Sequence, residues 1–355
     1  MELKNLYKLA ITFLKICGHT CKMQNKTKYK AIDKDKLEKA FERIKIIQDE
    51  FYKEFKVDDI FSNSKMFEII IANALGHILI PGHSGSRDAK DDTGEFEYKH
   101  FKETSSNHSW TFNDYTDNTI RKLKKIKAVI FAHIDDTETP IILDWYYKIP
   151  GAIISSYLEK ETKHKKNTRK MINVSPRQIE KKIGFQKETA TSNKGNYDIW
   201  LEKVFKEARI IESISNTTGI LTSNKVWEVL VASELNHNVN SEQGGRRGSH
   251  DAFDCDNNLY EYKVAKSYSW NFQDISDQVL NKYLEDKKVI LAKVDKNTFR
   301  VEALYSAEPK QVVFVLRKKL KEKTDRLHSK GEQLRRKQVS LSKSDLVEIN
   351  ADQIK

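Results

Sequence analysis

Cysteine is scarce in this sequence. The 355 residues include only three, Cys17, Cys21 and Cys255, which is too few for a disulfide framework. Cys17 and Cys21 have no second pair of ligands at metal-binding spacing, so we expect reduced, unligated thiols. The pattern excludes a disulfide-stabilised secreted module and favours a cytoplasmic protein.

Long apolar runs are also missing. No stretch approaches the roughly 20 apolar residues that a membrane-spanning helix requires. The first 17 residues are partly apolar, but Lys8 and Lys15 interrupt them and no small-residue cleavage site follows. We therefore expect an amphipathic helix there, not a signal peptide, and no membrane partner.

Charge, by contrast, is abundant and unbalanced. Lys and Arg number 63 against 51 Asp and Glu, which gives a net charge of +12. A basic excess suits a polyanionic partner, because Lys and Arg replace the counterions of phosphate groups. A general bias of composition toward lysine would give the same excess, so charge alone does not decide between these readings.

The sequence resembles itself at an offset near 160 residues. Five segments recur in the same order: 37–41 with 201–205, 67–77 with 227–237, 85–99 with 248–263, 109–117 with 269–277, and 127–135 with 287–295. A weaker match joins 172–179 to 339–346. Two units of this size indicate a duplicated domain, since a solenoid would need many short units.

The repeat predicts three regions. Residues 1–36 form an N-terminal helical extension without a counterpart in the second copy. Residues 37–185 form the first copy and residues 195–355 the second, and a stretch of loop composition joins them.

Each copy has the pattern of an α/β domain. In the first we expect helices at 37–56, 65–77 and 113–125, strands around Asp88 and at 95–101 joined by a turn at 92–94, and a buried strand in 128–134. This order describes a mixed sheet flanked by helices.

One constellation within the repeat suggests chemistry. Asp88 precedes Glu97-Tyr98-Lys99, and the second copy repeats the set as Asp251, Glu261 and Lys263. Alternation along a strand places the glutamate and the lysine on one face, and the turn brings the aspartate alongside. Paired carboxylates suit Mg²⁺, which can activate a water and stabilise charge on a phosphate.

The specificity of the signal comes from its recurrence. Bare Glu-x-Lys also occurs at 54–56, 161–163 and 285–287, outside the repeat. Only the candidate set returns in both copies with an aspartate at similar spacing upstream. The alternative is a charged pair of strands that makes surface ion pairs.

The pattern Gly-Ser-x-Asp-Ala, a turn, then Tyr/Phe-Glu-Tyr-Lys resembles the PD-(D/E)xK nuclease superfamily, specifically type II restriction endonucleases. The resemblance covers 68–135 and 228–295. It implies two tandem restriction-endonuclease-like αβββαβ domains that form a pseudo-dimer and hydrolyse DNA phosphodiesters with Mg²⁺, leaving 5′-phosphates. The family's proline before the aspartate is replaced by Arg87 and by His250.

The resemblance also implies roles for individual residues. Asp88 and Asp251 would bind metal together with the family's acidic residue, which is Glu97 in the first copy and Glu261 in the second. The family's catalytic lysine would be Lys99 and Lys263. Glu68 and Glu228 stand where a helix glutamate joins the metal site in some members. The choice of Asp88 over Asp91 or Asp92, and of Asp251 over Asp254, follows only from the shared Asp-Ala reading.

Loop residues near the hairpin that differ between the copies are candidates for base contact. They are His83, Arg87, Asn107, His108, Arg246, Arg247, His250 and Tyr268, and arginine is well suited to guanine. Trp110 and Trp270 would either stack on bases or, more commonly, lie in the core. His77 and His237 are expected to be structural.

The sequence therefore predicts a site-specific deoxyribonuclease of the type II restriction class. One active site per copy would let a monomer cut both strands of double-stranded DNA, as a homodimer otherwise does. Two alternatives remain: a structure-specific repair or recombination nuclease with the same core, and a DNA-binding protein whose sites are vestigial.

Overall fold

The computed structural model describes residues 32–355 apart from 62–64, 83–86, 166–168, 191–194, 222–224, 241–249, 330, 332–333 and 335–336. Residues Ala31–Lys355 form one compact unit. Most of the expected N-terminal extension, Cys17 and Cys21 lie outside the described residues. Below, the first half denotes residues 32–190 and the second half residues 195–355.

The first half alternates helices and strands. Its elements are α1 (Lys34–Phe55), α2 (Lys65–Leu75), β1 (Ile78–Leu79), β2 (Ala89–Asp91), β3 (Gly94–Lys102), β4 (Trp110–Tyr115), α3 (Asp117–Lys122), β5 (Ala128–Asp135), β6 (Ile142–Pro150), α4 (Gly151–Thr162), β7 (Lys170–Val174), α5 (Pro176–Gln178) and β8 (Glu188–Thr189). A 3₁₀ turn, Leu123–Lys125, extends α3, and a π turn, Ile179–Ile183, extends α5.

The second half repeats that order of helices and strands. Its elements are α6 (Asp198–Ser215), α7 (Lys225–Leu235), β9 (Asn238–Val239), β10 (Ala252–Phe253), β11 (Leu259–Ala265), β12 (Ser269–Phe272), α8 (Asp277–Tyr283), β13 (Lys288–Asp295), β14 (Arg300–Ala307), α9 (Pro309–His328), β15 (Val339–Ser342), α10 (Asp345–Glu348) and β16 (Asp352–Gln353).

The two six-stranded sheets have matching strand orders. The first runs β1-β2-β3-β5-β6-β8, and the second runs β9-β10-β11-β13-β14-β16. Only β3 with β5, and β11 with β13, pair in parallel; the other neighbours are antiparallel. A parallel pair needs a crossover connection, which β4 and α3 supply in one half and β12 and α8 in the other. The described chain is thus mixed α/β.

A separate two-stranded pairing packs on each sheet. Strand β4 pairs with β7 so that Trp110 lies opposite Val174, and β12 pairs with β15 so that Trp270 lies opposite Leu341. The weaker sequence match of 172–179 with 339–346 aligns Val174 with Leu341, so the tryptophan of each half lies opposite an equivalent residue. The two tryptophans are 0% exposed, and each indole donates to a carbonyl of the central strand, Ala132 at 2.8 Å or Ala292 at 2.9 Å.

Helices α1 and α6 pack against each other where the halves meet. Apolar residues recur every three or four positions along α1, so one face of the helix is buried. Near the end of α1, Phe55 contacts the rings of Tyr197 and Trp200 at the start of α6, so the helices run antiparallel. Arg43 Nε donates to Glu207 Oε2 at 2.8 Å across this seam, and the two residues occupy equivalent positions in the sequence repeat.

The predicted helix at 113–125 is wrong in its first half. Residues Trp110–Tyr115 form β4, and α3 begins only at Asp117, where the Thr116 side chain caps it. Asp114, within the expected helix, has a φ of 56° that marks an irregularity at the end of the strand. In the second half Asp274 has a φ of 53° and Ser276 caps α8.

Other boundaries differ by less. Helix α1 begins at Lys34, three residues before the expected start, and β8 lies within the stretch that the sequence suggested as a linker. The buried strand expected in 128–134 is confirmed as β5. Among the described residues, no helix has both the length and the apolar character needed to cross a bilayer. Cys255 is a free, exposed thiol.

Candidate active site

A tight hairpin positions the candidate residues of the first half. Strands β2 and β3 are joined by the two residues Asp92 and Thr93, and Gly94 follows with a φ of 147° that favours glycine. Asp91 Oδ1 accepts from Thr93 N at 2.7 Å and from Gly94 N at 3.1 Å. The carboxylate of Asp91 therefore stabilises the turn.

The corresponding turn in the second half uses Asp254 in the same way. Asp254 Oδ1 accepts from Asp256 N and from Asn258 N, both at 2.9 Å. These hydrogen bonds lower the pKa of Asp254 despite the opposing effect of burial. The later aspartates are thus engaged in the turns, whereas the earlier ones lie against the neighbouring strand.

The earlier aspartates are held by the backbone of that strand. Asp88 Oδ2 accepts from Tyr98 N at 2.5 Å, and Asp251 Oδ2 accepts from Tyr262 N at 2.8 Å. The donor is in each case the backbone N–H of the residue between the glutamate and the lysine of the Glu-x-Lys sequence. Each aspartate is thereby fixed beside the strand that carries that pair.

Glu97 and Lys99 form an ion pair on one face of β3. Tyr115, at the end of β4, donates its hydroxyl to Glu97 Oε1 at 2.8 Å. The other carboxylate oxygen, Glu97 Oε2, is buried and has no hydrogen-bond partner within the described part of the chain. Lys99 Nζ lies 5.3 Å from the centroid of the Phe112 ring.

Glu261 and Lys263 form the equivalent ion pair on β11. Lys263 Nζ lies 5.4 Å from the ring centroid of Phe272 and 5.5 Å from that of Tyr283. Tyr283 comes from α8, whereas the tyrosine of the first half comes from β4. The repeat aligns neither with a tyrosine, so sequence reasoning missed both.

The helix glutamates also reach the two sites. Glu68 in the first turn of α2 forms an ion pair with Lys65, and Glu228 in α7 accepts from Lys225 Nζ at 2.5 Å. Lys65 and Lys225 occupy equivalent positions in the repeat. Their recurrence was a signal that the sequence reading did not use.

The proximity of these carboxylates appears in their proton affinities. Burial, followed by the charges of Glu97 and Glu68, raises the pKa of Asp88 to about 8. In the second half, burial and Asp251 raise the pKa of Glu228 to about 7, and burial also raises that of Glu261 to about 7. Each site therefore concentrates buried negative charge.

The lysines balance part of that charge. Burial by itself lowers the pKa of Lys99, but Glu97, Tyr115 and Asp88 outweigh it and the pKa is raised. Lys263 shows the same balance with Glu261 as its largest favourable neighbour. Both lysines stay protonated at neutral pH in this arrangement.

The donor set of the first half fits a hard divalent cation. The charges of Glu97 and Glu68 close to the buried Asp88, and one buried oxygen of Glu97 without a partner among the described residues, are the features that such an ion would satisfy. Among the described residues, however, no three His, Cys, Asp or Glu side chains already stand at ligand distance from a common point. Lys99 and Lys65 lie against two of the carboxylates instead.

The second site opens into a cavity of about 330 Å³. Its walls include three of the predicted residues, Glu228, Asp251 and Lys263, and three polar residues that sequence reasoning did not select, Asn271, Gln273 and Lys296. The cavity is large enough for a phosphate group with several waters.

The residues that precede the two aspartates have different surroundings. Arg87 Nη1 donates to Glu95 Oε1 at 2.8 Å, and both side chains are well exposed. His250 Nδ1 lies 2.6 Å from Asp286 Oδ1, and the Asp286 side chain is almost completely buried. The other oxygen of Asp286 has no partner among the described residues.

Three of the remaining candidates for base contact fall within the described part of the chain. His83, Arg246 and Arg247 lie outside the described residues. Asn107 and His108 are exposed after β3, where the imidazole stacks on Phe101 at 5.6 Å between ring centroids. Tyr268 is half-buried, with the ammonium groups of Lys293 and Lys343 over its ring.

The paired histidines are structural. His77 Nδ1 lies 2.7 Å from Tyr98 Oη, and His237 Nδ1 lies 2.7 Å from Tyr262 Oη. Burial lowers the pKa of each imidazole to about 4. The expectation of satisfied structural histidines is therefore confirmed, and the full burial of Trp110 and Trp270 places those residues in the core.

Comparison with known proteins gives one match. Residues 32–184 match the family model described as Restriction endonuclease PvuII, a range that contains α1 through α5 but less than half of the chain. The match supports a type II restriction endonuclease-like fold and a nuclease activity for the first half. No curated protein matches the chain.

Proposed function

We propose that this protein is a type II restriction-type endonuclease that makes double-strand breaks in DNA by magnesium-dependent hydrolysis. The chain is a tandem duplication of one nuclease domain, of the PD-(D/E)xK kind, with copies at 37–185 and 195–355. Each copy supplies one active site, so a single molecule acts as a pseudo-dimer.

One observation carries this proposal. The same set of aspartate, glutamate, lysine and helix glutamate lies at the same place in two sheets of matching strand order. A surface ion cluster would have no reason to recur twice with buried carboxylates, because burying charge is costly. The match of the first half to a restriction endonuclease family also supports a DNA substrate.

Each residue has a task that follows from its contacts. Asp88, Glu97 and Glu68 in one site, and Asp251, Glu261 and Glu228 in the other, would hold Mg²⁺. The ion supplies a Lewis acid that stabilises negative charge on a phosphate and lowers the pKa of a bound water.

The lysines act on the reacting groups. Lys99 and Lys263 are protonated and partly buried in the two sites, so each orients the attacking water and offsets charge that develops on the scissile phosphate. Tyr115 donates a hydrogen bond to Glu97, the glutamate that pairs with Lys99. This hydrogen bond holds the Glu97 carboxylate close to Asp88.

The decisive experiment incubates the full chain with supercoiled plasmid and Mg²⁺ and sequences the ends that form. Discrete fragments with a common end sequence are expected, and chelation of the metal should abolish them. A smear without common ends would favour the structure-specific nuclease. DNA binding without any cleavage, unchanged in Lys99→Ala/Lys263→Ala, would overturn the enzymatic proposal.

A matched control is available within the chain. Lys163 belongs to another Glu-x-Lys sequence, at the exposed end of α4. Lys163→Ala should leave cleavage unchanged, which separates the effect of the two sites from a general loss of positive charge.

A further inference from the structure

Position 296 differs in charge from its counterpart in the first half. Pairing of β5 with β3 and of β13 with β11 places Ala128 and Lys288 at equivalent positions, so Lys296 corresponds to Asp136. Each follows directly after the central strand of its sheet. The first half thus has a carboxylate where the second half has an ammonium group.

Asp136 is fully engaged within its own loop. Its two oxygens accept from Thr104 N at 3.0 Å and from Thr104 Oγ1 at 2.7 Å, and Lys102 Nζ lies 3.2 Å away. The Asp136 side chain is only 1% exposed. The Asp136 carboxylate therefore stabilises its own loop, and its oxygens are already occupied by Thr104 and Lys102.

Lys296 faces the active-site cavity of the second half. Its side chain lines that cavity together with Glu228, Asp251 and Lys263. Its Nζ lies 4.9 Å from the centroid of the Trp227 ring, and no carboxylate forms an ion pair with it in the described part of the chain. Glu228, next to Trp227 in sequence, pairs with Lys225 instead.

The loop that carries Lys296 is fixed from both sides. Gln48 of α1 donates to the Lys296 carbonyl at 3.5 Å. Three residues further on, Phe299 stacks on Trp227 at 5.3 Å and on Phe41 at 5.8 Å between ring centroids. The ammonium group is thereby held at the cavity by packing at the seam between the halves.

We infer that Lys296 is a phosphate-binding residue of the second active site, where it contacts the backbone of the DNA strand that this site cleaves. Asn271 and Gln273, which line the same cavity, provide amide donors for the remaining oxygens of that phosphate. At the position equivalent to Lys296 the first half has the carboxylate of Asp136. The inference rests on the proposed function, because it assigns a DNA phosphate to the cavity.

The charge state of the group agrees with this role. Burial and the nearby charge of Lys266 lower the pKa of Lys296 to about 8. A phosphate group would relieve both effects, since an anion stabilises the protonated form of a partly buried amine. A half-buried cation without a carboxylate partner is costly unless a ligand provides the missing charge.

The first test measures binding of the full chain to a labelled duplex, without divalent metal, over a range of salt concentrations. Each lost phosphate contact reduces the slope of log K against log salt by about 0.9. We expect that reduction for Lys296→Ala, its recovery in Lys296→Arg, and no change for Lys36→Ala at an exposed site on α1. An unchanged slope for Lys296→Ala, or an equal change for Lys36→Ala, would refute the inference.

The second test separates the two sites. In a Lys99→Ala background only the second site cuts, and in a Lys263→Ala background only the first site cuts. Adding Lys296→Ala should raise the KM for nicking by the second site about tenfold with little change in kcat, in line with the loss of a charged hydrogen bond. Nicking by the first site should show a similar rise in KM, because one duplex occupies both sites of the pseudo-dimer.

The outcomes distinguish this inference from the proposed function. If the wild-type chain neither binds nor cuts DNA, both fail together. If it cuts normally and Lys296→Ala leaves the KM of the second site unchanged, only the role of Lys296 is wrong. A rise in KM that Lys296→Arg does not reverse would mean that the residue merely supports the seam.

Discussion

The two sites share their central residues and differ in several of the residues that adjoin them. In the first half, Arg87 pairs with Glu95 at the surface and Asp136 closes its own loop. In the second half, His250 pairs with the buried Asp286 and Lys296 borders a cavity. The shared residues lie on strands, on a helix or directly before a strand, whereas most of the differing ones lie in loops.

This contrast shows which parts of the site the fold dictates. Strand pairing fixes the aspartate, the glutamate and the lysine relative to one another, because each is held by the hairpin or by the strand itself. The loops have no such constraint, since they can accept new side chains without altering the sheet. Matching scaffolds therefore do not require equal activity at the two sites.

The largest expected effect tests whether both sites cut. Lys99→Ala and Lys263→Ala should each slow cleavage of one strand by roughly 10²- to 10⁴-fold, as expected for loss of a positioned catalytic group. Each single variant should convert supercoiled plasmid to nicked circles that persist. A gel that resolves nicked from linear DNA measures this, and linear product at the normal rate from either variant would show that its site is dispensable.

The next effect tests whether the two cores are equivalent. Trp110→Ala and Trp270→Ala should each lower the free energy of unfolding by about 3–5 kcal/mol, since each removes a fully buried ring and leaves a cavity. Denaturant unfolding measures the loss. Equal losses support the duplication, and a large difference would show that one half packs more loosely around its tryptophan.

Acidification should destabilise both halves through the paired histidines. In the folded chain His77 and His237 stay neutral down to pH about 4, whereas in the unfolded chain they bind a proton near pH 6.5. Their contribution is therefore complete above pH 6.5 and is lost as the pH falls toward 4. Each is expected to account for about 1–3 kcal/mol of this dependence.

Single substitutions separate that contribution from the carboxylates. His77→Gln and His237→Gln should each reduce the slope of unfolding free energy against pH in this window, and by similar amounts. Urea unfolding at a series of pH values gives the slopes. A variant with the wild-type slope would show that its histidine is already charged in the folded state.

The smallest effect compares the two equivalent loop positions. Asp136→Ala removes hydrogen bonds to Thr104 and an ion pair with Lys102, and should cost about 1–2 kcal/mol. Lys296→Ala removes only a contact with an aromatic ring and should cost about 0.5–1 kcal/mol. Thermal unfolding compares the two, and a larger cost for Lys296 would indicate a structural role.

Much of this architecture could be predicted from the sequence because it depends on local patterns. The apolar spacing of α1, the turn between β2 and β3 and the buried run of β5 are each encoded within a few residues. The self-similarity of the chain located both sets of aspartate, glutamate and lysine. The choice of Asp88 over Asp91 and Asp92 remains a prediction, which the placement of Asp88 beside β3 supports.

What escaped prediction depends on contacts between distant segments. The last three residues of β4 were predicted to begin a helix, because the partner of this strand, β7, follows some 60 residues later. Tyr115 and Tyr283 reach their sites from different elements, so no alignment of the halves could pair them. Asp286 and Lys296 are recognisable as neighbours of the second site only from the structure. Their spacing in the sequence matches no known motif.

The ion pair between Arg43 and Glu207 has a consequence for how such a chain could be divided. The two residues occupy equivalent positions on antiparallel helices, so in a dimer of identical copies each would meet its own duplicate across the two-fold axis. Arginine would then face arginine, or glutamate would face glutamate, and the glutamate is largely buried. If the two halves were produced as separate chains, like charges would oppose self-pairing and favour assembly of one half with the other. A single fused chain can therefore form an Arg–Glu ion pair between these two equivalent positions, which a symmetric homodimer could not.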